Sequence, residues 1–473
     1  MLLFEKDVHM PKNPFLNPVF LTKVMKSYLS DIDRLHQWST DQIKRYQDKQ
    51  IQKVLRYAST VPIYKKLYQK NECNPSNVKQ ISDLSKIPLI TKEDMNKYGE
   101  VGKIPRGRQP KDYVQVGTSG TTGKSLSIYV DMFDIVMGLF GYLRSIREYG
   151  INWRTHRLSI IGDFAEHTAE SGYVNRGLLP NSWFRSLFQS IQWLDTNDSP
   201  EKVLTSLNEF QPDFIGGYTG MLGHLAVLKS KGYGKQVNPR LIASTGAILD
   251  PPLKSFIEES FNSTVFEVYG ATETGPIAFQ CRKKRIYHIM SDLLYLEFLD
   301  ANNQPVSSKN PGRLVVTKLY GRGTPIIRYD AINDIVAPLY ETHQCGVSGG
   351  LIDRIYGRDS IRLYRRDGKI VLPSAFTTIF SRLLYEYQTS KIRDLKVIQK
   401  DLDQIDVHVV LDEKSRNDPP SFSALKDIII RGFHEKFGYE VQISVTEVTE
   451  VKRDEPRVIS HVDPKSLPFS GYL

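Results

Sequence analysis

Between about residues 110 and 270 the chain alternates strand-like with helical runs, and this constrains the fold more than any other feature. VQVG, RLSIIGDF, DFIGGY, PRLIASTGA and VFEVYG are short apolar runs bounded by turn residues. Between them fall a helix-prone stretch near 132–149 and the segments SPEKVLTSLNEF, TGMLGHLAVLKSKGY and PPLKSFIEESF. Such alternation predicts an α/β fold, a mostly parallel sheet covered by helices. Ligands of such sheets sit at the carboxyl ends of the strands.

The flanks read differently. In LHQWSTDQIKRYQDKQIQKVLRYASTV, Ile51, Val54, Leu55 and Ala58 recur at helical spacing until Pro62 stops the helix. SDLSKIPLITKEDMNKY predicts a short strand or turn and then a helix. Thr91 is its N-cap, with Glu93 and Asp94 in the first turn, where negative charge is favourable. After about residue 285, DLLYLEFLD, PGRLVVTKL and TPIIRYD predict a small antiparallel sheet with turns at Asn302-Asn303 and Pro311-Gly312. Further on, DLKVIQKD and QIDVHVVLD predict a hairpin, SFSALKDIIIRGFHEKFG an amphipathic helix closed by Gly438, and EVQISVTEV another strand. The expected organisation is a large domain over 1–356 (helical 20–100, α/β 110–280, β-rich 285–356) and a mobile α+β domain over 357–473. No internal repeat or low-complexity tract interrupts it.

Composition narrows the function classes. A chain of 473 residues buries several cores without disulfide staples. Its three cysteines, Cys73, Cys281 and Cys345, are odd in number and too few for a disulfide scaffold, which points to a reducing cytoplasm. The 63 basic against 53 acidic residues leave a net charge of +10, but the basic residues are dispersed and the tightest run is Arg282-Lys283-Lys284-Arg285. No nucleic-acid reader module accompanies them, so nucleic acid is not an expected partner. No segment approaches the ~18 uncharged apolar residues of a membrane span. Glu5, Lys6 and Asp7 stand where a signal peptide needs its apolar core.

The sharpest motif is Val116-Gly117-Thr118-Ser119-Gly120-Thr121-Thr122-Gly123-Lys124-Ser125. Its glycines let backbone amides turn toward a polyphosphate, its hydroxyls add donors, and Lys124 adds a charge. The spacing misses the P-loop pattern, which needs glycine where Thr118 stands.

SGTTGK resembles the phosphate-binding loop of the adenylate-forming enzymes, the superfamily of acyl-CoA synthetases and peptide-synthetase adenylation domains. Tyr269-Gly270-Ala271-Thr272-Glu273 resembles that superfamily's YGxTE motif, and Gly357-Arg358-Asp359 its hinge motif. VLRYASTVPIYKKLY and LSKIPLITKEDM are similar to the phenylacetate–CoA ligase and CapK-like branch, and the likeness covers essentially the whole chain. The resemblance implies joining of a small-molecule carboxylate to the α-phosphate of ATP, with transfer to CoA or another nucleophile. It also implies a CapK-like or coenzyme-adenylylating enzyme, or a nucleotide-binding protein without catalysis, as alternatives. Whether CoA binds, and whether the chain forms a homodimer, stay open.

Residue roles follow from that resemblance. Thr118, Ser119, Gly120, Thr121, Thr122, Gly123 and Lys124 would hold the β- and γ-phosphates. Tyr269 would stack on adenine beside Gly270 and Ala271, Thr272 would bond the α-phosphate, and Glu273 would take Mg²⁺ as a hard oxygen ligand. Gly246 and Ala247, in Ser244-Thr245-Gly246-Ala247, match the adenine-contacting turn. Asp334 is the better match to the ribose-binding aspartate, with Asp330 the alternative, since a carboxylate can accept from both hydroxyls. Arg358 and Asp359 would sit at a hinge about which the small domain rotates between half-reactions. The superfamily's C-terminal lysine falls on Asp454, the wrong charge for developing negative charge, so Lys452 or Lys465 would have to replace it. The acyl pocket is expected among 135–150, 214–221 and 244–272, where Phe140, Tyr142 and Tyr218 either suit a flat acid or fill the core.

Cys281-x6-His288 and His343-x-Cys345 together offer two thiolates and two imidazoles, a tetrahedral set for structural zinc. Some CapK-like members carry a Cys/His set in these two places. The competing reading is two buried free cysteines and two surface histidines.

Overall fold

The computed structural model describes residues 17–117, 126–165, 168, 170–172, 174, 190–341, 343–359, 361–452, 455–464, 467–469 and 471–472. The glycine-rich loop, with Thr118, Ser119, Gly120, Thr121, Thr122, Gly123 and Lys124, lies outside them, as do Asp454 and Lys465.

The N-terminal region is helical, with α1 (Pro18–Ser30), α2 (Thr40–Ala58) and α3 (Pro62–Lys70). Ser39 and Gln42 close a capping box on α2, and Pro62 stands in the first turn of α3, where a missing N–H costs nothing. Thr91 and Asp94 cap the short helix Lys92–Asn96 reciprocally. Ile90 just before it bridges to Tyr329, which ties this helix to the main body.

β1 (Val114–Gly117) and β2 (Ser127–Val130) form an antiparallel hairpin that pairs Gly117 with Ser127. The sequence reading led from the glycine-rich loop straight into a helix; the structure interposes β2. Ile128, Tyr129 and Val130 are buried, and such β-branched and aromatic side chains pack well on a pleated surface. Then comes α4 (Met132–Glu148), capped by Asp131 and Asp134.

The remaining strands up to β13 form one eleven-stranded sheet among the described residues, in the order β10-β11-β12-β13-β9-β8-β7-β6-β5-β3-β4. One half is parallel: β3 (Leu158–Gly162), β4 (Ile191–Asp195), β5 (Phe214–Tyr218), β6 (Leu241–Thr245) and β7 (Thr264–Ala271). Helices α5 (Pro200–Phe210), α6 (Thr219–Ser230) and α7 (Pro251–Phe261) pack on it around Ile161, Leu207, Ile215, Leu222, Ile242 and Phe261. The other half is antiparallel: β8 (Gly275–Gln280), β9 (Tyr287–Ile289), β10 (Leu294–Leu299), β11 (Gly312–Lys318), β12 (Asp334–Leu339) and β13 (Leu351–Arg358).

The strands after residue 285 are therefore not a small sheet of their own. β7 is parallel to β6 and antiparallel to β8, so the chain's reversal at Thr272–Gly275 fuses the two halves. Gly275 there has φ +72°, a conformation that costs glycine little. TPIIRYD is also not a strand. Tyr329 makes isolated bridges to Ile90 and Val316, and Arg328 has φ +45°. The Arg328 guanidinium is held by Glu297 and by the carbonyls of Ser85 and Ile87, which anchors the segment out of the ladder.

Beyond β13, β14 (Leu363–Tyr364), β15 (Lys369–Val371) and β20 (Gly471–Tyr472) form a small sheet. β16 (Ile392–Gln399), β17 (Gln404–Leu411), β18 (Gln442–Glu447) and β19 (Val458–Ser460) form another, in the order β18-β17-β16-β19. The hairpin expected over 394–412 is present as β16 and β17, and α9 (Phe422–Phe437) ends at Gly438. These elements share a core from Leu363 to Val458, distinct from the core that runs from Phe20 to Ile352. α8 (Pro373–Tyr385) touches both sides: Phe376, Ile379 and Leu383 join the C-terminal core, while Leu384 and Tyr385 pack against the helices of the parallel sheet. Among the described residues no helix is long and apolar enough to cross a membrane.

Candidate functional site

The carboxyl ends of the parallel strands gather the motif residues. Tyr269, near the end of β7, donates a short hydrogen bond from its hydroxyl to Asp334 Oδ2 at the start of β12. Asp334 stands opposite Arg358, the last residue of β13. Glu273 follows Thr272 in the turn after β7 and is 8 % exposed, and Tyr329 donates to its Oε1 at 3.1 Å. Burial pushes both carboxyls above their ordinary range. The Arg358 charge opposes this at both, after the tyrosine bonds, and the Lys92 charge opposes it at Glu273. Burial in turn pushes the Lys92 ammonium down, against the pull of Glu273. The arrangement is two buried carboxylates, each bonded to a tyrosine, with two cations within electrostatic reach.

Asp330 is engaged elsewhere. It pairs with Arg313 at 2.7 Å, and its backbone N–H donates to the Ile90 carbonyl. Of the two aspartates weighed from the sequence, only Asp334 meets Tyr269.

The turn after β6 lies beside this cluster. Thr219 shares a 2.7 Å hydrogen bond with Ser244 and donates to the Ala247 carbonyl at 2.9 Å, leaving Gly246 and Ala247 exposed. Gly246 has φ +79°, and a Cβ there would lie 2.2 Å from the Tyr218 ring, so only glycine fits. Gly270 and Ala271, at the end of β7, are half-buried, as is Thr272.

Lys452 is exposed on the loop before β19. Its carbonyl accepts from Arg457 at 2.8 Å, and its charge acts on Glu455. The structure does not bring it to Glu273. Lys92 and Tyr329 are the site neighbours that sequence reading missed. Thr91's cap marked a helix start at residue 92, but its approach to Glu273 depends on the bridge between Ile90 and Tyr329, a contact across the chain that no periodicity carries.

A second cluster lies at the other end of β13. Leu351, its first residue, pairs with His288 of β9. Cys281 Sγ lies 3.4 Å from His343 Nε2, and Cys345 Sγ lies 3.2 Å from His288 Nε2. The ligand atoms of Cys281, His343 and Cys345 all fall within 4.8 Å of one another. His288 is 1 % exposed, not a surface residue, and burial pushes it down to about 4, so its imidazole is neutral at pH 7. All four residues named from the sequence thus meet. The donor set, two sulfurs and two imidazole nitrogens, fits a tetrahedral zinc ion with bonds of about 2.0–2.3 Å.

No protein-family model matches the chain. Among curated proteins it is 23 % identical over 394 residues to protein CapK of Staphylococcus aureus, covering 82 % of each chain. It is 24 % identical over 308 residues to the phenylacetate-coenzyme A ligase of Aromatoleum evansii, covering 63 % of this chain and 67 % of the relative. Among solved structures, 2-hydroxyisobutyryl-CoA ligase in its postadenylation state with 2-HIB-AMP matches with a TM-score of 0.70 at 16 % identity, over 89 % of this chain and 90 % of that one. With the SGTTGK, YGATE and GRD segments in order in its sequence, the chain is similar in sequence and fold to adenylate-forming enzymes, and to the phenylacetate–CoA ligase-like branch in particular.

Proposed function

We propose that this protein activates a carboxylic acid with ATP as an acyl-adenylate and passes the acyl group to CoA. The observation that carries this reading is the Tyr269–Asp334 and Tyr329–Glu273 pairing at the carboxyl ends of the strands. In this reading the substrate carboxylate attacks the α-phosphorus, the bond to the bridging oxygen breaks, and pyrophosphate leaves. A thiol then displaces AMP from the acyl carbon.

The chain's own groups bind and orient. Asp334, fixed by Tyr269, accepts from the ribose hydroxyls. Glu273, bonded by Tyr329 at one oxygen, is a hard carboxylate ligand that fits a magnesium ion arriving with the nucleotide. That ion would spread the charge of the leaving phosphates. Lys92 and Arg358 bring fixed positive charge to the same place, where preorganised charge stabilises a transition state most. Thr118–Lys124 would hold the outer phosphates. The segment 357–473 would act as a small domain turning about Gly357–Asp359, which its separate core supports. The relatives named phenylacetate-coenzyme A ligase support the chemistry.

Cys281, His288, His343 and Cys345 would hold a structural zinc ion, remote from the adenylation chemistry.

Acid-dependent exchange of pyrophosphate into ATP, with Mg²⁺ and pooled aryl, fatty and amino acids, tests the reading. Exchange with one pool is expected. Silence across all pools, with ATP binding confirmed in parallel, would overturn it in favour of a CapK-like transfer to another acceptor, or of nucleotide binding alone.

A further inference from the structure

Next to the proposed adenylation site lies a half-buried carboxylate to which neither the motifs nor the reaction assigns a role. Glu170 accepts a short hydrogen bond from the Tyr218 hydroxyl. A Cβ at Gly162, the last residue of β3, would lie 3.1 Å from Glu170 Cγ and 3.2 Å from the Phe164 ring. Glu170 therefore sits over the carboxyl end of β3, and Tyr218 is the carboxyl end of the neighbouring β5. On the other side, the Tyr142 hydroxyl of α4 lies 3.3 Å from where a Cβ at Gly270 would be, two residues before Thr272. Desolvation first, and the Glu170 charge second, hold the Tyr142 and Tyr218 phenols protonated. Tyr218 also packs beneath Gly246. The cluster thus borders both motif turns, within the segments where an acyl group would lie.

The polarity of this wall is specific. Besides the Tyr218 bond, Glu170 accepts from its own backbone N–H, and no basic side chain pairs with it among the described residues. Burial pushes its carboxyl up, and the nearby Asp163 charge adds to the push. A hydrocarbon acyl group against this wall would take water from the carboxylate without adding a donor to the remaining acceptor positions, a costly arrangement. A second carboxylate there would add repulsion. A hydroxyl or amino group would supply the missing donor. Sites that hydrogen-bond a substrate group discriminate strongly against the analogue that lacks it.

We propose that Glu170, with Tyr218 and Tyr142, selects a carboxylic acid bearing a hydroxyl or amino donor at the end remote from its reacting carboxylate. This rests on the acid-activation reading and sharpens it.

Pyrophosphate exchange with matched acids tests it: phenylacetate, 4-hydroxyphenylacetate, 4-aminophenylacetate and 4-carboxyphenylacetate, and in parallel butyrate, 4-hydroxybutyrate, 4-aminobutyrate and succinate. In whichever series the enzyme accepts, the donor-bearing acids are expected to exceed the plain acid at least ~10-fold in kcat/KM, and the diacid to be poorest. Glu170→Leu should abolish the preference by lowering the donor-bearing acids and raising the plain one; Glu170→Gln, nearly isosteric, should narrow it. Equal rates for plain and donor-bearing acids in the wild-type enzyme would overturn the assignment without any variant, as would a preference that survives Glu170→Leu. Exchange confined to plain acids would overturn it while leaving acid activation intact. Absence of exchange with every acid, with ATP still bound, would overturn acid activation and this inference with it.

Discussion

One strand, β13, carries two clusters of opposite chemistry. At its end, Arg358 stands across from Asp334 in a cluster of buried oxygen acids; at its start, Leu351 pairs with His288 in a cluster of sulfur and nitrogen donors. Seven residue steps at ~3.3 Å put the two ends about 23 Å apart. The oxygen cluster holds two carboxylates pushed up by burial, an arrangement that costs stability and suits the binding of a cation and a charged substrate. The sulfur–nitrogen cluster keeps a buried neutral histidine and closes on itself, as a structural metal site does. In the proposed reading, buried polar groups on one sheet serve opposite ends, activity at one and stability at the other. Substitutions at both ends test that division.

The largest effect is expected at Glu273. Glu273→Gln should lower acid-dependent pyrophosphate exchange by at least ~10²-fold, the scale of losing one preorganised electrostatic group. The same variant should be more stable than wild type at pH 8. The Glu273 carboxyl is raised in the fold, so its stabilising contribution is present below the ordinary carboxylate range and is lost as pH rises through the folded value. The gain in Tm should therefore shrink on going from pH 8 to pH 4. A variant with unchanged exchange would remove Glu273 from the site and dissolve the comparison.

At the other end, Cys281→Ser or Cys345→Ser should do the reverse. Zinc content should fall from one equivalent toward none and Tm by several degrees, since metal binding to such a set adds directly to folding free energy. The kcat of the folded fraction should stay within about twofold, the metal being remote from the chemistry. Loss of turnover at unchanged Tm would show that the two clusters are not divided in this way.

Within the oxygen cluster, the two aspartates separate binding from scaffolding. Asp334→Asn should raise the KM for ATP about tenfold, the cost of weakening a charge-assisted bond to the ribose. Asp330→Asn should leave that KM within twofold and lower Tm instead, because it releases Arg313 from its 2.7 Å ion pair. An equal effect on KM from both would return Asp330 to the site.

The same contrast explains what the sequence could and could not disclose. Elements defined by local chemistry were legible: the Thr91 cap, the alternation through β3–β7, the hairpin of β16 and β17 and the glycine closing α9. The four Cys/His residues were legible as a set because soft donors are rare in the chain. What depends on long-range pairing was not. The fusion of two sheets through β7, the displacement of TPIIRYD by the anchored Arg328, and the approach of Lys92 and Tyr329 to Glu273 are tertiary contacts without a sequence period. Glu170 was missed for the same reason: a lone acid gains meaning only when Tyr218 and Gly162 are placed around it.

The smallest effect is expected at Lys452, and it bears on where the cation of the adenylation step resides. By resemblance the lysine position of the superfamily falls on Asp454, and Lys452 lies exposed beside Glu455 and Arg457. Lys92 already stands within electrostatic reach of Glu273. If Lys92 supplies the charge, Lys452→Ala should change pyrophosphate exchange less than about threefold, while Lys92→Ala lowers it tenfold or more, as removal of a charge aligned with a transition state does. A hundredfold loss for Lys452→Ala at unchanged Tm would mean that rotation about Gly357–Asp359 carries residue 452 into the site. The oxygen cluster on β13 would then be half of a catalytic centre whose other half arrives with the C-terminal segment.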